Sequence, residues 1–298
     1  MGLTKMPTIQ TSLLEITYRD DGPRGAPVVL LLHGWPDDSS TWDAIIPSLN
    51  DAGFAHDRAY HPRLRRDTLP VAWYPAHGQR RHVGPRRDRD AGRPWRSEFL
   101  SRRARLGCEH DWDVGGWLAR PGRPYRNAIV AAGAGRVASS GSPARAPAMV
   151  SLVPGYQAWR ADGARRPQGV RPYYVGAWSP KGWFDDATFD RVAASFDNPD
   201  WVDVTLHSYR SRWDEAEPDP VSKWLHEKVK ATKALGLPAI YFQGELDGVN
   251  PPETSEKVAE KFTGPFERIV LPGVGHFPTR EAPAEVAARL VKHFSPAP

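Results

Sequence analysis

The stretch Val28-Val29-Leu30-Leu31-Leu32-His33-Gly34-Trp35-Pro36 decides how this chain is read. An unbroken apolar run of this length, stopped by a Gly and Pro turn, is the pattern of a strand buried on both faces of a parallel sheet. A His-Gly turn at the carboxyl end of such a strand directs backbone N–H groups toward a pocket, where they can stabilise an oxyanion. The same residues also serve a plain strand-to-helix loop, because Gly and Pro are ordinary turn formers. Upstream, Leu13-Leu14-Glu15-Ile16-Thr17-Tyr18 alternates like a strand and runs into the turn signal Asp20-Asp21-Gly22. Downstream, Trp42, Ile45, Ile46 and Leu49 recur at helical spacing over Thr41 to Leu49. Ser40 or Thr41 is the expected N-cap of that helix, and Gly53 its end.

The same alternation returns from Trp178 to Pro298. Helices are expected over Asp185 to Phe196, Trp201 to Trp213, Lys223 to Leu235 (ended by Gly236), Ser255 to Phe262 and Pro283 to Phe294. Strands are expected at Pro238 to Phe242 and Arg268 to Leu271. Strands alternating with helices define an α/β fold with a mostly parallel sheet.

Composition narrows the function classes. A chain of 298 residues, 40% hydrophobic and 25% charged, is long enough to bury a sizeable core. A single cysteine excludes a disulfide framework and a thiolate metal cluster. No apolar run approaches the roughly 20 residues of a membrane-spanning helix. Met1-Gly2-Leu3-Thr4-Lys5-Met6 is not a signal peptide, so a cytoplasmic protein is expected. The 30 prolines and 12 tryptophans are unusual, and many fall in the middle of the chain.

Two further loops carry chemistry. Gly244-Glu245-Leu246-Asp247-Gly248 follows one expected strand, and Gly273-Val274-Gly275-His276-Phe277 follows the next. In a parallel sheet these loops share an edge, where a carboxylate can hold an imidazole in one tautomer. Singly, Asp247 reads as a turn residue and His276 as a loop histidine. Together, in this order, they read as a catalytic pair.

With His33-Gly34-Trp35-Pro36, Trp42, Asp247 and His276 in place, the chain resembles the α/β-hydrolases. The closest likeness is to the branch of epoxide hydrolases and haloalkane dehalogenases. The resemblance covers residues 1–54 and the region from Trp178 onward. It implies a nucleophile elbow, for which His110-Asp111-Trp112 is the candidate, although Glu109 and Asp113 stand where the branch has glycines. No Gly-x-Ser-x-Gly occurs, and Cys108 is not flanked as an elbow requires. The resemblance implies Asp111 as nucleophile and His276, oriented by Asp247, as activator of water. It assigns oxyanion and substrate contacts to His33, Gly34, Trp35, Pro36 and Trp112. A helical cap over 178–215 would carry Tyr209 as acid; the same ring could instead anchor the cap. Trp35, rather than an asparagine, between Gly34 and Pro36 favours epoxide over haloalkane. An esterase-like hydrolase is the remaining alternative within the class. The implied partners are a small hydrophobic substrate and water, with no cofactor, metal, nucleic acid or membrane. The oligomeric state is not indicated.

The segment 55–177 fits neither template. Arg63-Leu64-Arg65-Arg66, Arg80-Arg81 and Gly84-Pro85-Arg86-Arg87 crowd it, with little hydrophobic periodicity. A basic nucleic-acid arm is disfavoured, because the arginines show neither helical spacing nor interleaved aromatics. A disordered insertion is a second reading. The favoured reading is a shifted frame. Codons for His61 to Leu69, read one base forward, permit Ile-Arg-Gly-Phe-Gly-Glu-Thr-Arg-Phe, which matches the Arg-Gly-Phe-Gly loop of the resembled branch. A chain so damaged would be an inactive remnant of a hydrolase. The expected division is therefore 1–54 and 216–298 as core, 178–215 as cap, and 55–177 as an irregular segment holding the candidate elbow.

Overall fold

The computed structural model describes residues 7–10, 15–59, 177–180, 182–197, 216–217 and 223–295. Strands β1 (Thr8–Gln10), β2 (Glu15–Asp21), β3 (Val28–Leu31) and β4 (Ala55–Ala59) form a sheet in the order β1-β2-β4-β3. β2 is antiparallel to β1 and β4, whereas β3 is parallel to β4. The apolar run from Val28 forms β3 as expected, and each of its residues is buried. A second, parallel pair is formed by β5 (Ala239–Gly244) and β6 (Phe266–Leu271), in a register that sets Gly244 against Leu271.

The helix expected over Thr41 to Leu49 is instead two pieces. A 3-10 turn covers Ser39–Trp42, capped by the Asp38 carboxylate, which accepts from the Ser40 N–H at 2.9 Å. Helix α1 then spans Ile46–Asp51. Pro47 explains the break: it offers no N–H and clashes with a preceding helical carbonyl, so it belongs in a first turn. The cap is therefore Asp38, not Ser40 or Thr41. Gly53 closes the region as expected, at φ 82°.

Helix α2 (Asp186–Ala193) starts at Asp185, whose carboxylate accepts from the Thr188 N–H at 2.7 Å. Helix α3 (Lys223–Ala231) stops short of the expected Leu235. Leu235 is taken into an extended bridge with Phe262, donating to the Lys261 carbonyl at 2.7 Å. Nor is Ser255 to Phe262 a continuous helix. Two 3-10 turns, Pro252–Ser255 and Val258–Lys261, replace it. Arg268 of β6 donates to the Pro252 carbonyl at 2.7 Å and to Ser255 Oγ at 2.9 Å, holding the first turn open. A short helix α4 (Pro278–Glu281) and the final helix α5 (Pro283–Phe294) follow. The helix expected at Trp201 to Trp213 lies outside the described residues.

One core joins the two ends of the chain. Val29 and Leu31 of β3, with Trp42 and Leu49, meet Leu271 of β6 and Val286, Leu290 and Phe294 of α5. Phe54 meets Phe294 edge to face, with ring centroids 5.9 Å apart. Strand β4 departs from this pattern. Lying between β2 and β3, it buries His56, Asp57 and Arg58, where a central strand ordinarily carries apolar residues. The irregular composition expected from residue 55 thus enters the sheet itself.

Because Leu290 is 1% exposed at the centre of the shared core, Leu290→Ala should lower unfolding free energy by about 2–5 kcal/mol. Urea denaturation followed by tryptophan fluorescence checks this.

Candidate active site

The site grows from the register of β5 and β6. Since Gly244 and Leu271 end their strands side by side, the loops that follow leave from one edge. A side chain at 244 is impossible without backbone movement, since its Cβ would lie 1.9 Å from the Gly275 carbonyl oxygen. Glycine there lets the two loops touch. The Leu246 N–H then donates to the Val274 carbonyl at 2.8 Å.

Asp247 is buried and tied locally. Its Oδ1 accepts from the N–H groups of Val249 and Asn250, each at 2.8 Å. Such side chain to backbone bonds hold a short carboxylate in one rotamer. His276, also buried, brings its Nδ1 to 2.9 Å from Asp247 Oδ1 and 3.0 Å from Oδ2. With Nδ1–H donating to the carboxylate, Nε2 is the basic nitrogen. This pair can accept a proton from water and stabilise the resulting imidazolium.

The loop after β3 reaches the same region. Trp35 and Pro36 are joined by a cis peptide bond. Asp37, next in the chain, forms a two-point bond with Arg280 of α4: Nε to Oδ2 at 2.7 Å and Nη2 to Oδ1 at 2.5 Å. Arg280 Nη2 also donates to Ser40 Oγ at 2.9 Å, and Thr41 and Thr279 join hydroxyls at 2.7 Å. Both partners of the ion pair are almost wholly buried, so removing one would strand a charge and cost about 3–5 kcal/mol. His33 is buried beside this pair, with its Nδ1 3.2 Å from the Gly34 carbonyl. Burial holds its imidazole below the ordinary value of 6.5, outweighing the attraction of Asp38 and Asp37.

Aromatic rings separate the two loops. The Trp178 ring lies 6.0 Å from Trp35 and 5.3 Å, edge to face, from the His276 imidazole. Phe277 and Trp183 extend the wall, stacked at 5.1 Å. Such a surface suits an apolar substrate. Trp178 and Ser179 were expected to open the cap. They sit against the loop that carries His276, with the Trp178 carbonyl accepting from the N–H groups of Gly248 and His276.

Of the residues singled out from sequence, His33, Gly34, Trp35, Pro36, Asp247 and His276 converge on this edge. Asp111, Trp112 and Tyr209 lie outside the described residues. Sequence reasoning missed Asp37, Trp178, Ser179, Arg280 and Glu281. The only signal for the last two is their place within five residues of His276.

No protein-family model matches the chain. Epoxide hydrolase A of Mycobacterium tuberculosis is 24% identical over 324 aligned positions, spanning 99% of this chain and 98% of that protein. Among solved structures, one from Klebsiella pneumoniae subsp. pneumoniae superposes with a TM-score of 0.69 at 22% identity, covering 97% of each chain. Epoxide hydrolase A from Mycobacterium thermoresistibile gives 0.62 at 19% identity, over 97% of this chain and 98% of that one. The fold is therefore that of the α/β-hydrolases, as the strand and loop pattern implied. Within that class the full-length relative to which the chain is similar is an epoxide hydrolase.

The state of His33 sets a pH dependence. Its folded pKa is depressed, so protons bind the unfolded chain more readily below 6.5 and stability falls as pH drops through that value. His293, held low by burial, acts in the same direction. Thermal melts between pH 8 and about 5 should show this loss, and His33→Asn should flatten the slope, leaving the His293 part.

Proposed function

We propose that this chain hydrolyses epoxides to diols through an aspartyl ester. The observation that carries this reading is the buried Asp247–His276 pair on the sheet edge reached by the His33-Gly34-Trp35-Pro36 loop. The full-length similarity to an epoxide hydrolase supports the substrate class. In this reading Asp111 attacks an epoxide carbon, the C–O bond breaks, and the oxygen takes a proton from Tyr209. Water, deprotonated by His276 Nε2, then attacks the ester carbonyl. The ester C–O bond breaks, the departing diol oxygen takes the imidazolium proton, and the proton left on the Asp111 carboxyl returns Tyr209 to its neutral form. The imidazolium is held by Asp247, and backbone N–H groups of Trp35 and Trp112 hold the oxyanion. Trp35, Trp178 and Phe277 give the site an apolar lining suited to a small hydrophobic epoxide.

Purified protein should form diol from styrene oxide and release no bromide from a bromoalkane. Asp247→Asn should lower kcat by about 10⁴-fold, by favouring the wrong imidazole tautomer. His276→Gln should still form the ester but not hydrolyse it. Intact-mass spectrometry would then find one substrate mass added, mapped to the peptide holding Asp111. A folded protein that performs neither reaction removes the proposal.

A second reading is favoured by β4. Its buried His56, Asp57 and Arg58 begin just after Phe54, where the shifted frame is expected to start. On that reading the chain is a damaged hydrolase with 1–54 and 216–298 as its surviving core, and it is prone to aggregate. Resequencing the gene should reveal a one-base insertion or deletion near the Phe54 codon. An intact frame there eliminates this reading.

A further inference from the structure

The backbone around His276 is held by groups that take no part in the reaction above. The Glu281 carboxylate, on the last residue of α4, accepts three hydrogen bonds. Its Oε2 takes the Gly275 N–H at 2.6 Å, and its Oε1 takes the Phe277 N–H at 2.8 Å and the Ser179 hydroxyl at 2.7 Å. Ser179 Oγ in turn accepts from the His276 N–H at 2.9 Å. Three successive amides, those of Gly275, His276 and Phe277, are thus gathered by one carboxylate, directly or through one hydroxyl. Gly275 admits Ser179 to this position, because a Cβ there would lie 2.4 Å from Ser179 Oγ. Asp247 fixes the tip of the imidazole, while this second carboxylate fixes its root. Bonds from amides to an ionised acceptor are among the stronger ones available.

We propose that Glu281, acting with Ser179, is a positioning residue that sets where His276 stands relative to Asp247 and to the ester it hydrolyses. The proposal rests on His276 being the base of the proposed reaction. It makes a distinction that general stability does not. Ester formation needs no imidazole, whereas ester hydrolysis does, so a displaced His276 slows only the second step.

The test uses the full-length chain and its Glu281→Ala, Glu281→Gln and Ser179→Ala variants, each checked for folding by circular dichroism. A misplacement of about 1 Å can slow a reaction about 100-fold, and Glu281→Ala should slow ester hydrolysis by about that factor. Single-turnover kinetics with styrene oxide should show ester accumulating while its formation rate is unchanged. Glu281→Gln, which keeps one acceptor oxygen, should recover part of the rate, and Ser179→Ala should slow it less than Glu281→Ala. In parallel, the proton shared by His276 Nδ1 and Asp247 is followed by NMR and assigned by its loss in His276→Gln. It should broaden or shift in Glu281→Ala. A folded Glu281→Ala protein with the parent resonance and parent hydrolysis rate overturns the proposal. If Glu281→Ala does not fold, Glu281→Gln and Ser179→Ala decide by the same two readouts. If even the parent chain forms no ester, the reaction assigned to the site has failed, and the resonance alone decides: unchanged, it overturns the positioning role; displaced, it supports it.

Discussion

The buried bond between Asp37 and Arg280 ties residues 243 positions apart and holds the candidate site together. One partner leaves β3 and the other follows His276 on α4. Both charges are largely withdrawn from water, so each relies on the other and on the neighbouring Ser40 hydroxyl and Asp38 amide for solvation. The two-point geometry fixes direction as well as distance, which a single contact would not. The loop that could present N–H groups to an oxyanion is thereby registered against the loop that presents the imidazole. The hydrophobic core beneath supplies the rigid base, since β3, β6 and α5 meet there.

Close backbone approach does the rest. The loops after β5 and β6, and the strip at Trp178 and Ser179, come nearer to one another than side chains would allow. Gly244, Gly248 and Gly275 stand at the points of contact. These glycines look like punctuation in the sequence, yet at 244 and 275 their role is to leave room. The result is a histidine held at three levels: its ring by Asp247, its amide by Ser179 and Trp178, and its neighbours' amides by Glu281.

Strand β4 is where local and global demands disagree. Its register places Asp57 opposite Leu30 on one side and Asp20 on the other. The backbone ladder accepts any residue type, so the strand pairs through its main chain. Its buried side chains His56, Asp57 and Arg58 lack the apolar character that such a position uses to offset desolvation. Natural sequences are mostly consistent across these levels, so a conflict of this kind at a central strand is informative.

What the amino-acid sequence determined by itself were features carried by short-range pattern. The apolar run of β3, the span of α5, a helix near Asp185, the stop at Gly53, and the order of Asp247 before His276 were all legible, because they follow from periodicity and turn chemistry. The continuous helix over Thr41 to Leu49 and the one over Ser255 to Phe262 were misread. In the first, Pro47 overrode the apolar spacing; in the second, Arg268 captured the Pro252 carbonyl from a distant strand. Only the tertiary structure decided that Asp37 meets Arg280, that Trp178 stands between Trp35 and His276, and that Glu281 gathers the amides around the imidazole. Glu281 reaches amides only four and six residues before it, but the other two contacts join segments with no shared local pattern. Their geometry is set by strand register and core packing, which no window of neighbouring residues contains.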